Sequence, residues 1–123
     1  MTPDELAEML LNFAVKIVKV VDQLSQTFVG RHISGQLFRS ATSAGANYGE
    51  ACAAESRSDF VHKMLIVLKE LNETKYWLLL IKKSELLPSS EIDLLINEST
   101  SLSNIIGKSV VTAKKKGISK NGK

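Results

Sequence analysis

Arg39-Ser-Ala-Thr-Ser-Ala-Gly-Ala-Asn-Tyr-Gly-Glu-Ala51 is followed, after a short break, by Phe60-Val-His-Lys-Met-Leu-Ile-Val-Leu-Lys-Glu-Leu-Asn-Glu-Thr-Lys-Tyr-Trp-Leu78. The first stretch is almost without large apolar side chains; the second is apolar on nearly every side. A helix that neighbours can approach closely thus precedes one that needs cover all round. The pairing predicts a tight helical bundle with a further partner, supplied by copies of the same chain.

The flanking sequence supplies the other helices. Thr2-Pro-Asp-Glu5 carries an N-cap, a proline at the first helical position and a capping-box glutamate. Leu6, Leu10, Phe13, Ile17, Val20 and Leu24 then recur at the alternating steps of a bundle seam. Helix 1 is expected from Pro3 to about Phe28, ended by Gly30, and helix 2 from about Ser34 to Ala54. At about 100° per residue, Gln36, Arg39, Ser40, Ser43, Asn47 and Glu50 share one arc of helix 2. Leu37, Phe38, Ala41, Ala44, Tyr48, Ala51 and Cys52 occupy the other side, where Cys52 reads as a buried small hydrophobe. Gly45 and Gly49 each cost a helix interior about 1 kcal/mol against alanine, which predicts close approach of another backbone.

Helix 3 is expected from about Ser58 to Ser84, with Phe60, Met64, Val67, Leu71, Thr74, Leu78 and Ile81 as its core seam. Ile66, Trp77 and Leu80 lie on its far side and are assigned to subunit packing. Leu87-Pro-Ser-Ser90 is a turn, Ser90 and Asp93 form the next cap, and helix 4 frays after about Ala113. Short connections favour antiparallel neighbours. The expected fold is an all-α, up-down-up-down antiparallel four-helix bundle over residues 1–113.

The formal charge of +3 on 123 residues is unevenly spread. Lys114, Lys115, Lys116, Lys120 and Lys123 leave the preceding residues with 11 basic and 13 acidic side chains, a net of −2. Residues 114–123 are therefore expected to be a basic, disordered tail, either solubilising or a contact for polyanions. The single cysteine excludes an internal disulfide. The acidic start is unlike a secretory signal, and no apolar run reaches a membrane span, so a cytoplasmic protein with no membrane partner is expected.

Arg39, Asn47 and Glu50 on helix 2, with Glu70 and Glu73 on helix 3, are the polar set of interest. Arginine suits carboxylates in fork geometry, and such a network can fix register at a helix or subunit contact. A shared binding surface is the alternative. Paired carboxylates also serve acid–base chemistry, but a di-iron bundle wants Glu-x-x-His where this chain has Glu70-Leu-Asn-Glu73. His32, expected in a loop, and His62 lack ligand partners at useful spacing. No catalytic residue, cofactor or metal ligand is assigned, and the chain is read as a non-enzyme.

Arg39-Ser-Ala-Thr-Ser-Ala-Gly-Ala-Asn47, Glu50-Ala51, Ser58-Asp-Phe60 and Leu68-Lys-Glu-Leu-Asn-Glu-Thr-Lys-Tyr-Trp-Leu78 resemble the bacterial four-helix-bundle proteins encoded in intervening sequences of 23S ribosomal RNA genes. The resemblance covers roughly residues 5 to 115. That family includes accessory proteins of diversity-generating retroelements, which assemble as barrel-like pentamers and associate with a reverse transcriptase and nucleic acid. The resemblance implies a ring-like homo-oligomer, a pentamer, and a suggestion of nucleic acid or a nucleic-acid enzyme as partner. The body of this chain, slightly acidic, departs from the basic body of the nucleic-acid-binding members. The functional expectation is a homo-oligomeric scaffold or interaction module, with a nucleic-acid-associated accessory protein as the alternative.

Overall fold

The computed structural model describes residues 1–121, with side-chain surroundings through residue 117. Four helices make up the chain: α1 (Pro3–Leu24), α2 (Phe28–Cys52), α3 (Arg57–Lys83) and α4 (Ser89–Asn121). No strand occurs among the described residues. The expected α1 seam is the observed one: Leu6, Leu10, Phe13, Ile17, Val20 and Leu24 are all buried. They meet Leu37, Met64, Leu71, Leu78, Ile92, Leu102 and Ile106 in one continuous core. Fully burying each large aliphatic side chain contributes about 2 kcal/mol.

Contacts along the helices give their directions. Leu10 lies beside Gly45, whereas Val21, farther along α1, accepts a 3.2 Å hydrogen bond from Ser34 at the other end of α2. Glu50 pairs with Lys63 and Arg39 with Glu70, so α2 and α3 also run in opposite directions. Lys82 pairs with Asp93, and Gly117 packs against Arg57, which sets α4 antiparallel to α3. Of the helix pairs in contact, α1 and α4 approach each other least, and the 3.0 Å Lys16–Glu98 pair spans them.

Beside Ile33, Leu37 and Tyr48, the inner face of α2 carries a run of small residues: Ser40, Ala41, Ala44 and Ala51 are all buried. Short side chains let α1 and α3 draw close to it, to the point where the Ser40 and Thr74 hydroxyls meet at 2.8 Å. Thr74 also has the Glu70 carbonyl at 2.8 Å and Ser40 the Leu37 carbonyl at 3.2 Å as acceptors, so one hydroxyl proton bridges the pair, the other goes to a carbonyl, and both buried hydroxyls are satisfied. Close approach at the glycines is less than expected. A side chain at Gly45 would make ordinary contact with Leu10, and one at Gly49 would meet open space.

The α1–α2 boundary differs from expectation. α1 ends at Leu24, and Thr27 caps a helix that already begins at Phe28, accepting from the Gly30 N–H at 2.9 Å. Gly30 is therefore the third residue of α2, not a terminator of α1. Its role is steric: a Cβ there would collide with the Leu24 carbonyl oxygen. His32 consequently sits within α2 rather than in a loop. Cys52, the last residue of α2, is exposed although the adjacent Ala51 is buried, because the core at that level takes up Ala51 and leaves the neighbouring position outside.

The α3–α4 connection has its own logic. The Glu85 N–H donates to the Lys82 carbonyl at 3.1 Å and the Leu86 N–H to that of Ile81 at 3.2 Å, a Schellman ending. It requires a left-handed residue, and Glu85 supplies it with φ of 55°. α4 then starts at Ser89, so Ser90 lies in its first turn and Asp93 pairs with Lys82 at 2.7 Å instead of closing a cap. α4 also continues through Asn121, so residues 114–121 extend the helix where a disordered tail was expected. Lysine is a good helix former, and cations favour a helix C-terminus. Lys123 lies outside the described residues.

Two substitutions test this geometry. Gly30→Ala is expected to destabilise the bundle by about 3 kcal/mol, through a backbone clash that no rotamer relieves, in urea unfolding followed by circular dichroism. Glu85→Gly is expected to stabilise it by about 1 kcal/mol, since glycine carries no left-handed penalty, read in the same assay.

Candidate functional site

The five polar residues singled out from the sequence fall into three groups. Arg39, Glu70 and Glu73 form one cluster across α2 and α3. The Arg39 guanidinium donates to Glu70 at 2.8 Å with one nitrogen and to Glu73 with another. Asn47 turns back on its own helix, donating to the Ser43 carbonyl at 2.9 Å. Glu50 pairs with Lys63 at 2.8 Å, a partner the sequence reading did not name. Steps of three and four residues place Glu70, Glu73 and Trp77 on the flank of α3 that faces α2.

The Arg39 cluster is asymmetric in burial. Only 8% of the Glu70 side chain is exposed, against 48% of Arg39. The buried carboxylate therefore depends on the arginine for compensation. Glu73 also accepts the Trp77 indole N–H at 3.1 Å, and Trp77 stands edge-on to His32 with ring centroids 6.0 Å apart. Arg39, followed by the Trp77 hydrogen bond, holds the Glu73 carboxyl below its usual range. The cluster has its ligands within the protomer: it locks α2 against α3. Among the described residues no group of His, Cys, Asp and Glu is arranged to hold a metal ion.

Ile66, Trp77 and Leu80 are each half-buried in the protomer, with Trp77 and Leu80 packed on the core. Full exposure of apolar side chains occurs elsewhere. Leu11, Val15 and Val18 on α1 are 57%, 47% and 45% exposed, and Phe38 on α2 is 47% exposed. Phe38 follows Ser34 by one turn on the flank of α2 that meets α1, which places it level with Val18. Glu8, Leu11, Val15, Val18 and Asp22 repeat with the same three- and four-residue steps as the buried seam. α1 thus carries two stripes, one inside and one facing solvent. The second was legible as a periodicity, but the stronger core seam masked it.

At the C-terminal end, Lys114, Lys115 and Lys116 are exposed on α4. Lys120 falls within the helical span, and its side chain lies outside those described. An apolar cavity of about 440 Å³ at one end of the bundle is lined by Leu6, Tyr48, Cys52, Phe60 and Ile105. Burial there, with Cys52 alongside, pushes the Tyr48 phenol up.

A buried α1 seam, a small-residue α2 and an Arg39-bridged α3 over one four-helix core accord with the family suggested by the sequence. The model of the 23S rRNA-intervening sequence proteins matches residues 5–108. The chain belongs to that family. A solved structure from Bacteroides thetaiotaomicron VPI-5482, of a protein with unknown function from the S23 ribosomal protein family, is 38% identical with a TM-score of 0.80. The similarity covers 85% of this chain and 97% of that one. No curated protein matches the chain. For this intervening-sequence protein, as for that neighbour, the shared feature is the bundle, and no helix of the described residues is long and apolar enough to cross a membrane.

The Arg39 cluster is expected to act as a structural clamp. Arg39→Ala should cost about 2 kcal/mol, the scale of a charge-assisted hydrogen bond lost from a buried carboxylate; urea unfolding measures it. Because the folded-state pKa of Glu73 is depressed, its contribution is present above the ordinary value of 4.5 and is lost as pH falls through the folded value. Glu73→Gln is therefore expected to flatten the fall of Tm with acidification below pH 4.5.

Proposed function

We propose that the protein is a non-enzymatic, homo-oligomeric scaffold that presents a symmetric surface to a partner. The observation behind this reading is the solvent-facing stripe of Leu11, Val15 and Val18 beside Phe38. Contiguous exposed apolar side chains rimmed by polar ones are a mark of interaction sites. A homo-oligomer covers them without requiring a second gene product. Family resemblance favours a closed ring, and a pentamer within that class. The protein works in the cytoplasm on this reading, with no membrane partner.

A second reading, a nucleic-acid-associated accessory protein, draws on the lysines of α4. Lys108, Lys114, Lys115 and Lys116 follow one another along a helix that has no carboxylate after Glu98. Repeating this array around an oligomer raises its effective concentration for a polyanion or a nucleic-acid enzyme.

Native mass and nucleic-acid retention separate these readings. The wild-type chain is expected to run as a defined oligomer, and Leu11→Ser/Val15→Ser/Val18→Ser to run near the 13.5 kDa protomer with unchanged helical circular dichroism. A monomeric wild type at micromolar concentration refutes the scaffold. Salt-sensitive RNA or DNA binding, abolished by Lys114→Ala/Lys115→Ala/Lys116→Ala, advances the accessory-protein reading.

A further inference from the structure

We propose that the exposed stripe of α1 seats in the outer groove between α3 and α4 of a second copy, making a head-to-tail interface. This rests on self-association as read above and names the two faces that meet. The groove is about 790 Å³, lined by Leu68 and Asn72 on α3 and by Ser103, Gly107, Lys108 and Val111 on α4. Its floor is small at Ser103 and Gly107, where a helix ridge can enter, and no side-chain atom approaches the Gly107 Cβ position. Apolar walls at Leu68 and at Val111, 51% exposed, match the apolar ridge of Leu11, Val15 and Val18.

Charge decides the pairing. The α1 stripe ends in carboxylates, Glu8 before Leu11 and Asp22 after Val18, all exposed. The groove is basic: Lys108 lines it, Lys114 and Lys115 follow about two turns beyond Gly107 and Lys108, and Lys75 lies on the α3 side. The nearest carboxylates of α3, Glu70 and Glu73, point the other way and are held by Arg39. Lys19 borders the α1 stripe on the side away from α2, and Lys16 is engaged by Glu98.

Spacing agrees as well. Fourteen residues of helix separate Glu8 from Asp22, roughly 21 Å at the helical rise. The Lys82–Asp93 and Arg57–Gly117 contacts put Lys75 level with Thr100. Lys75 and Lys115 are then roughly 22 Å apart along the groove. Both acidic ends of one stripe can therefore meet lysines while its apolar middle covers the groove. Stripe on stripe, the isologous alternative, brings carboxylates onto carboxylates. Because stripe and groove are different faces, the contact is heterologous and propagates until a ring closes.

A charge exchange tests this on the full chain, with circular dichroism to confirm folding. Glu8→Lys/Asp22→Lys and Lys75→Glu/Lys115→Glu, each placing like charges opposite one another, are expected to drop the native mass toward the 13.5 kDa protomer. The chain with all four substitutions, and an equimolar mixture of the two double variants, should both regain the wild-type oligomer mass. Retention of that mass by either double variant, or no recovery on exchange, overturns the pairing while leaving self-association standing. Loss of RNA binding with unchanged mass in Lys75→Glu/Lys115→Glu also overturns it and assigns the groove lysines to nucleic acid. A monomeric wild type removes the underlying reading instead.

Discussion

The structure depends on the small residues of the inner face of α2. Ser40, Ala41, Ala44 and Ala51 keep that helix thin where it lies between α1 and α3. The large residues of its neighbours, Phe13 and Ile17 on one side and Leu71 and Leu78 on the other, then reach a common core. A Leu or Phe at Ala44 would push these layers apart, since interiors are packed too densely to absorb the added volume. The same closeness brings the Ser40 and Thr74 hydroxyls to 2.8 Å, turning two polar residues that would be a liability in a core into a satisfied pair.

Polar contacts around that core set register more than they add stability. All five ion pairs found among the described residues have one side chain at least 45% exposed, and in Lys63–Glu50 and Lys82–Asp93 neither partner is buried. Exposed pairs contribute about 0–1 kcal/mol. Arg39–Glu70 is different because the carboxylate is buried, so a slip of α2 along α3 by one turn leaves a charge without its partner. The bundle gains a unique alignment from a residue whose net stabilisation is modest.

What remains outside the core has a pattern of its own. One side of α1 presents Leu11, Val15 and Val18, and the opposite flank of the molecule presents a lysine-bordered groove between α3 and α4. In a single copy both faces cost solvation free energy. In the oligomer proposed above they become the means of assembly, and the bundle of the 23S rRNA-intervening sequence family is the frame on which they are displayed. Arg39 is shared between Glu70 and Glu73, and the Trp77 indole further lowers the Glu73 carboxyl.

Four helices, the core seam of α1 and the Arg39–Glu70–Glu73 grouping were legible in the sequence, because helical periodicity and charge pairing act over three or four residues. The α1–α2 corner was not. Gly30 carries a terminator's signature locally, and its true role arises from the Leu24 carbonyl, which tertiary structure alone brings against it. Exposure of Cys52 followed the same rule: its place on the helix wheel pointed inward, but the neighbouring helices cover Ala51 at that level and not Cys52. Glu85 took the left-handed position without glycine because two carbonyls of α3 needed donors there. Sequence by itself determined which faces are apolar and where helices form, since those depend on local spacing. Only the tertiary structure decided which apolar faces were already covered, because burial depends on neighbours distant in the chain.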